Sequence, residues 1–229
     1  MNDIIRQFFL CSSLFITAVS SGFAQEGDCR SFRTEGVLLV LETELGGLPQ
    51  ANLSDLLETL SETDVLLVNF ASSELCITPL SQTAVEGAAW APLYWNSAID
   101  EVAVVGMLDG SYEVPLRLDF EYQGELLLER TVGEDIGLTE MEFLSDNSGV
   151  GAEDFFSEEI GYLAIGDTEL NGLFAEVPRY GIAYDHYSEI NGESPSDSDL
   201  SHGSLGIDAL QDHVLVVDAK GNRAALISP

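Results

Sequence analysis

His202-Gly203-Ser204-Leu205-Gly206-Ile207-Asp208-Ala209-Leu210, then Val214-Leu215-Val216-Val217-Asp218, Lys220-Gly221-Asn222 and Ala224-Ala225-Leu226-Ile227, is the stretch on which the fold turns. It reads as a tight small-residue turn, a helical turn, a strand, an Asn/Gly turn and a closing strand. The unbroken β-branched and leucine run from Val214 to Val217 suits a strand covered on both faces. Lys220-Gly221-Asn222 supplies residues that tolerate positive φ between two strands.

Upstream, strands outnumber helices. Val37 to Leu41, Val65 to Val68 and Val102 to Val105 are short apolar runs, and Val114, Leu116, Leu118, Phe120 and Tyr122 alternate cleanly over 112–122 as in a half-exposed strand. Leu126 to Leu128, Tyr162 to Ile165 and Leu173 to Val177 add further strands. Leu53, Leu56, Leu57 and Leu60 place one apolar face on a short helix, with Ser54 as its expected cap and Asp55 in its first turn. A Pro79-led helical stretch and an aromatic loop over 88–98 follow. No helix is long enough for a bundle, so the class is mainly β. An internal repeat, 37–47 laid over 114–124, is suggestive.

Length and charge bound the rest. The 229 residues are enough for one large domain or two small lobes. Residues 1–24 read as a signal peptide: Phe8 to Val19 is apolar but too short to span a bilayer, and Gly22-Phe23-Ala24 provides a small-residue cleavage site. The mature chain is expected to be periplasmic or secreted, with no membrane span. It keeps Cys29 and Cys76, an even pair that reads as one disulfide in an oxidising compartment. Forty acidic residues against eight basic ones give a formal net charge of −32. Nucleic acid and anionic membrane are therefore excluded as partners, because phosphate contacts need cations. The acidity suits a solvated surface at high ionic strength.

Other chemistry is sparse. No nucleophile elbow or phosphate-binding glycine loop occurs. His186, His202 and His213 lack metal-ligand spacing, and the acidic loop with Glu193, Asp197 and Asp199 lacks a calcium-loop pattern. No metal and no cofactor are expected. Trp90, Tyr94 and Trp95 are candidates for a substrate-binding platform for a sugar or peptide.

In its order of elements, the stretch from His202 to Ile227 resembles the end of a lobe in the pepsin-like and retropepsin-like aspartic peptidases. There an apolar-apolar-Gly segment precedes a short helix and a closing hairpin; Ser204-Leu205-Gly206 takes that place here, and Val104-Val105-Gly106 in the first half. The resemblance implies an acid-protease-like fold of one or two β-barrel-like lobes with short helices, an N-terminal lobe over 25–111 and a C-terminal, retropepsin-like lobe over 112–229. The family's signature is a strand running into Asp-Thr/Ser-Gly-Ala/Ser-Ser/Thr. Two such loops meet so that two carboxylates share a proton.

Two segments are candidates for these loops. Val68-Asn69-Phe70-Ala71-Ser72-Ser73 has Asn69 at the aspartate position, and Asp135-Ile136-Gly137-Leu138-Thr139 keeps Asp and Gly. The resemblance thus implies a catalytic position at Asp135 opposite a substituted one at Asn69. The expected function is an exported, catalytically impaired protein that binds peptide or protein. The alternatives are an active endopeptidase pairing Asp135 in a dimer, and a β-rich carbohydrate-binding envelope module.

Overall fold

The computed structural model describes residues 28–36, 38–45, 47–82, 89–98, 100–122, 124–138, 155–178 and 201–228, and in it the chain is mainly β. Residues 1–24, expected from the sequence to be a signal peptide, Thr139, the loop 145–153, His186 and the acidic loop 191–200 lie outside the described residues.

The first half opens with β1 (Asp28–Glu35), β2 (Leu38–Leu45) and β3 (Leu48–Ala51), then the helix α1 (Leu53–Thr59). β4 (Asp64–Asn69), β5 (Glu74–Pro79), β6 (Ala91–Asn96) and β7 (Glu101–Leu108) follow. The second half contains β8 (Tyr112–Asp119), β9 (Leu126–Leu128), the helix α2 (Arg130–Asp135), β10 (Phe155–Glu159) and β11 (Tyr162–Ile165). It ends with β12 (Thr168–Asn171), β13 (Phe174–Pro178), β14 (Gly203–Gly206), the single turn α3 (Ile207–Leu210), β15 (Val214–Asp218) and β16 (Arg223–Ile227).

These strands form a 16-stranded sheet in the order β10-β13-β9-β14-β8-β7-β6-β16-β15-β4-β5-β1-β2-β3, with β11 joining β7 and β12. Two features position the rest. First, β14 runs between β8 and β9, parallel to β8 (Leu205 opposite Leu118, Gly206 opposite Asp119) and antiparallel to β9. The two strands that flank the loop 120–125 are therefore held apart by a third. Second, β15 and β16 return to the first half and pair with β4 and β6. A boundary at 111/112 falls in the turn of the β7–β8 hairpin, whose register joins Ala103 to Arg117 and Leu108 to Tyr112. One continuous apolar core runs from Phe32 through Leu226 and takes side chains from both halves.

The reading of Val214 to Val217 holds in detail. All four side chains are buried; Leu215 and Val217 face the main core, while Val214 and Val216 join Val65 and Leu67 in a smaller cluster on the opposite face. A strand with both faces covered has no polar alternation to show. In the hairpin that follows, Asn222 takes φ +50° and Asp218 ties the turn, accepting hydrogen bonds from the Gly221 N–H at 2.8 Å and from Arg223 Nε at 2.8 Å.

Several expectations are revised. The cap of α1 is Asn52, whose N–H donates to Asp55 at 3.4 Å. Ser54 lies inside the helix, is buried, and donates its hydroxyl to Asp100. The expected apolar face of Leu53, Leu56, Leu57 and Leu60 is buried. Only a 3-10 turn, Leu80–Gln82, is described in the Pro79-led stretch. The aromatic loop contains β6, because Ala91 and Leu93 turn inward while Pro92 and Tyr94 turn out, the period of a strand. Segments 37–47 and 114–124 occupy unlike places: β2 lies between antiparallel β1 and β3, whereas β8 lies between antiparallel β7 and parallel β14.

Candidate functional site

Asp135 does not begin a loop that leaves a strand. It is the last residue of α2, and Asp135-Ile136-Gly137 is a helix stop. The Leu138 N–H donates to the Gly133 carbonyl at 2.9 Å and the Gly137 N–H to the Glu134 carbonyl at 3.2 Å, with Gly137 at φ +83°. That pair of bonds is the Schellman arrangement, which requires a left-handed residue and so selects glycine. The Asp-x-Gly pattern therefore has a local cause. Asp135 accepts a hydrogen bond from the Tyr112 hydroxyl at 3.2 Å, and burial, then this bond, push the phenol above its ordinary value.

Asn69 ends β4, where it stands between Val214 of β15 and Glu74 of β5. Its side-chain oxygen accepts from the Ser72 N–H at 3.1 Å and fixes the turn 70–73, in which Ser73 has φ +52°. No hydrogen bond joins Asn69 to Asp135 among the described residues. Phe70, the next residue, instead packs at a tilt against Phe120, with ring centroids 5.3 Å apart, and edge-to-face against Phe32 at 6.0 Å.

The loop that meets the Asn69 turn thus begins at Asp119. Asp119 closes β8, is 6% exposed and lies opposite Gly206 of the Ser204-Leu205-Gly206 strand. One carboxylate oxygen accepts from the Glu121 N–H at 3.0 Å and the Tyr122 N–H at 3.2 Å; the other is ion-paired with Arg117 at 2.5 Å. The first oxygen holds the loop in shape, and the second is paired within β8. The register that pairs Ala103 with Arg117 carries Glu101 to the same level, and this buried carboxylate accepts from the Ser201 hydroxyl at 2.5 Å. Gly206 explains how the strands fit: a Cβ there would run into the Gly124 carbonyl oxygen and lie 2.7 Å from Tyr122.

Sequence reasoning missed Asp119 because Val114, Leu116, Leu118 and Phe120 alternate across it, which marks Asp119 as an outward-facing residue. The signal available was the chain around it: an apolar strand ending in Leu118-Asp119, a loop, Leu126 to Leu128, and a short helix closed by Gly137.

The chemistry of the meeting point follows from its residues. An aspartic-peptidase centre needs two carboxylates sharing one proton, one acting as acid and one as base. The strand ends that lead into the two loops carry a carboxylate at Asp119 and an amide at Asn69. Phenyl rings at Phe70 and Phe120 make the contact between the loops.

No family model matches this chain, and no curated protein does. Among solved structures, it is similar to a retropepsin-like aspartic protease from Rickettsia conorii, at 14% identity and a TM-score of 0.37, over 62% of this chain and 94% of that one. It is also similar to basic 7S globulin from soybean, at 11% identity and a TM-score of 0.40, over 83% of this chain and 66% of that one.

The remaining candidate residues separate. Trp90 packs on the smaller cluster and carries the Arg223 guanidinium 4.3 Å above its ring. Trp95 packs on the main core, and Tyr94 is 49% exposed. Tyr94 and Trp95 line a surface cleft of about 430 Å³ with Pro92, Leu93, Asn96 and Asn222; Trp90 does not. Cys29 and Cys76 form the expected disulfide, directly opposite each other on β1 and β5. Among the described residues, the one group with metal-ligand proximity is Cys29, Glu74 and Cys76, and the disulfide occupies both sulfurs. No described helix is long and apolar enough to cross a membrane.

Proposed function

We propose that this chain is an exported, catalytically impaired protein of aspartic-peptidase-like fold that binds peptide or protein without cleaving it. The observation that carries this reading is the meeting of Asn69-Phe70 with Asp119-Phe120. An amide has no titratable proton to share and cannot act as base. Asp119 spends three of its roughly four acceptor sites on Arg117 and on two backbone N–H groups of the loop. Export is supported by the leader-like residues 1–24 and by the Cys29–Cys76 disulfide, which suits the periplasm or the exterior.

The test is incubation of the full chain with casein from pH 3 to 6, read by release of soluble peptide, alongside fluorescence anisotropy of labelled, unfolded casein. Saturable binding with no release is expected, and Asn69→Asp alone restores no cleavage. Cleavage abolished by Asp119→Asn would overturn the impaired reading. Cleavage abolished by Asp135→Asn would favour the dimeric enzyme.

A further inference from the structure

We propose that the cleft along the open edge of β6 is a binding site for a neutral saccharide, separate from the meeting of the two loops. β6 changes partner along its length. Ala91 and Pro92 pair with Ala224 and Arg223 of β16, whereas Leu93 to Asn96 pair with Val104 to Glu101 of β7. The Leu93 N–H donates to the Asn222 carbonyl at 3.0 Å, so the polar backbone groups of Leu93 face away from β7. By the two-residue period those of Trp95 face the same way, and there the β15–β16 hairpin has already turned back at Asn222. The cleft lies at this step.

Its lining selects a ligand class. At about 430 Å³ it falls within the ordinary range of small-molecule sites, roughly 300–1,000 Å³. Tyr94 and Trp95 provide aromatic surface, the exposed Pro92 widens it, and Asn96 and Asn222 provide amides. The Asn96 oxygen accepts from the Ala98 N–H at 3.0 Å, and its NH₂ group makes no hydrogen bond among the described residues.

None of these six residues is charged, in a chain with 40 acidic side chains. A cation would need carboxylates and an anion would need Lys or Arg; a net charge of −32 also repels anions. An added peptide strand relies on a row of backbone partners, and among the described residues β6 leaves only the pair on Trp95 outside its β7 and β16 ladders. Aromatic faces with amides that both donate and accept match a sugar ring, which presents C–H faces and hydroxyl edges.

The experiment titrates the full chain with hexasaccharides of α-linked glucose, β-linked glucose, N-acetylglucosamine and mannose, and follows the fluorescence of Trp90 and Trp95. A saturable change with at least one of them is expected. Tyr94→Ala should weaken it by about tenfold or more. Asn222→Gly should weaken it too while leaving the melting temperature unchanged, since glycine accepts the φ of +50° at that turn. Absence of binding to all four sugars would overturn the proposal, as would binding that Tyr94→Ala leaves intact. So would a cleft that ignores the sugars but binds an extended peptide lost in the same two variants.

Discussion

At the scale of single residues, Gly206 and Asp119 show how a backbone constraint and a side-chain constraint fix one crossing. Gly206 lets β14 pass against the loop 120–124, and Asp119 holds that loop from the other side. Gly206→Ala pushes a methyl group into backbone that cannot yield, so a loss of about 3 kcal/mol or more is expected in denaturant unfolding. Gly206 would be exonerated by a variant with unchanged midpoint. Asp100 offers a test in pH. The residue is exposed, with φ +53°, but partial burial of its carboxyl group raises its pKa, against the lowering effect of hydrogen bonds from Ser54 and Asn52. A carboxyl raised on folding binds its proton more tightly in the native state. Stability from this group is thus present below the unfolded value of 3.8 and declines as pH rises through the folded value. Asp100→Asn keeps the left-handed preference and an acceptor for Ser54. The variant should melt higher than the parent at pH 7 and draw level at pH 3; an unchanged difference across that range would refute the assignment.

Among the elements, β1 is the one that most needs an outside tie. Its first half pairs with β5 and its second half with β2, so it bridges two ladders with four paired residues in each. The disulfide sits in the β5 ladder and spans 47 residues. On the loop-entropy model its removal costs about 3–4 kcal/mol. The paired Cys29→Ser and Cys76→Ser variant should therefore unfold at clearly lower denaturant, with hydrogen exchange fastest in 28–35. Uniform exchange across the sheet would show that β1 is not the element the bridge protects. α2 gives the corresponding lesson for pattern reading. Asp135-Ile136-Gly137 has the letters of a catalytic turn and the geometry of a helix end, because glycine at positive φ serves both.

For the molecule as a whole, the dominant electrostatic fact is a net charge of −32 on 229 residues. Self-repulsion of that size destabilises the compact state and is screened by salt. The melting temperature should rise steadily between 0.05 and about 1 M NaCl, where the Debye length falls to roughly 3 Å. A flat response would show that self-repulsion among the carboxylates does not limit stability.

The sequence by itself determined the class, the closing stretch and the disulfide. Those signals are local or binary: Val214 to Val217 suits a strand buried on both faces, Asn222 suits a turn, and with Cys11 in the leader-like segment Cys29 and Cys76 have one way to pair. It also singled out Asn69-Phe70. What only the tertiary structure decided is the partner of that turn. Whether Phe70 meets Phe120 depends on β14 threading between β8 and β9 and on β15 and β16 returning to β4 and β6, contacts separated by scores of residues. Hydrophobic alternation records which face of a strand is buried but carries no label for the strand beside it. Asp119 stayed hidden for that reason.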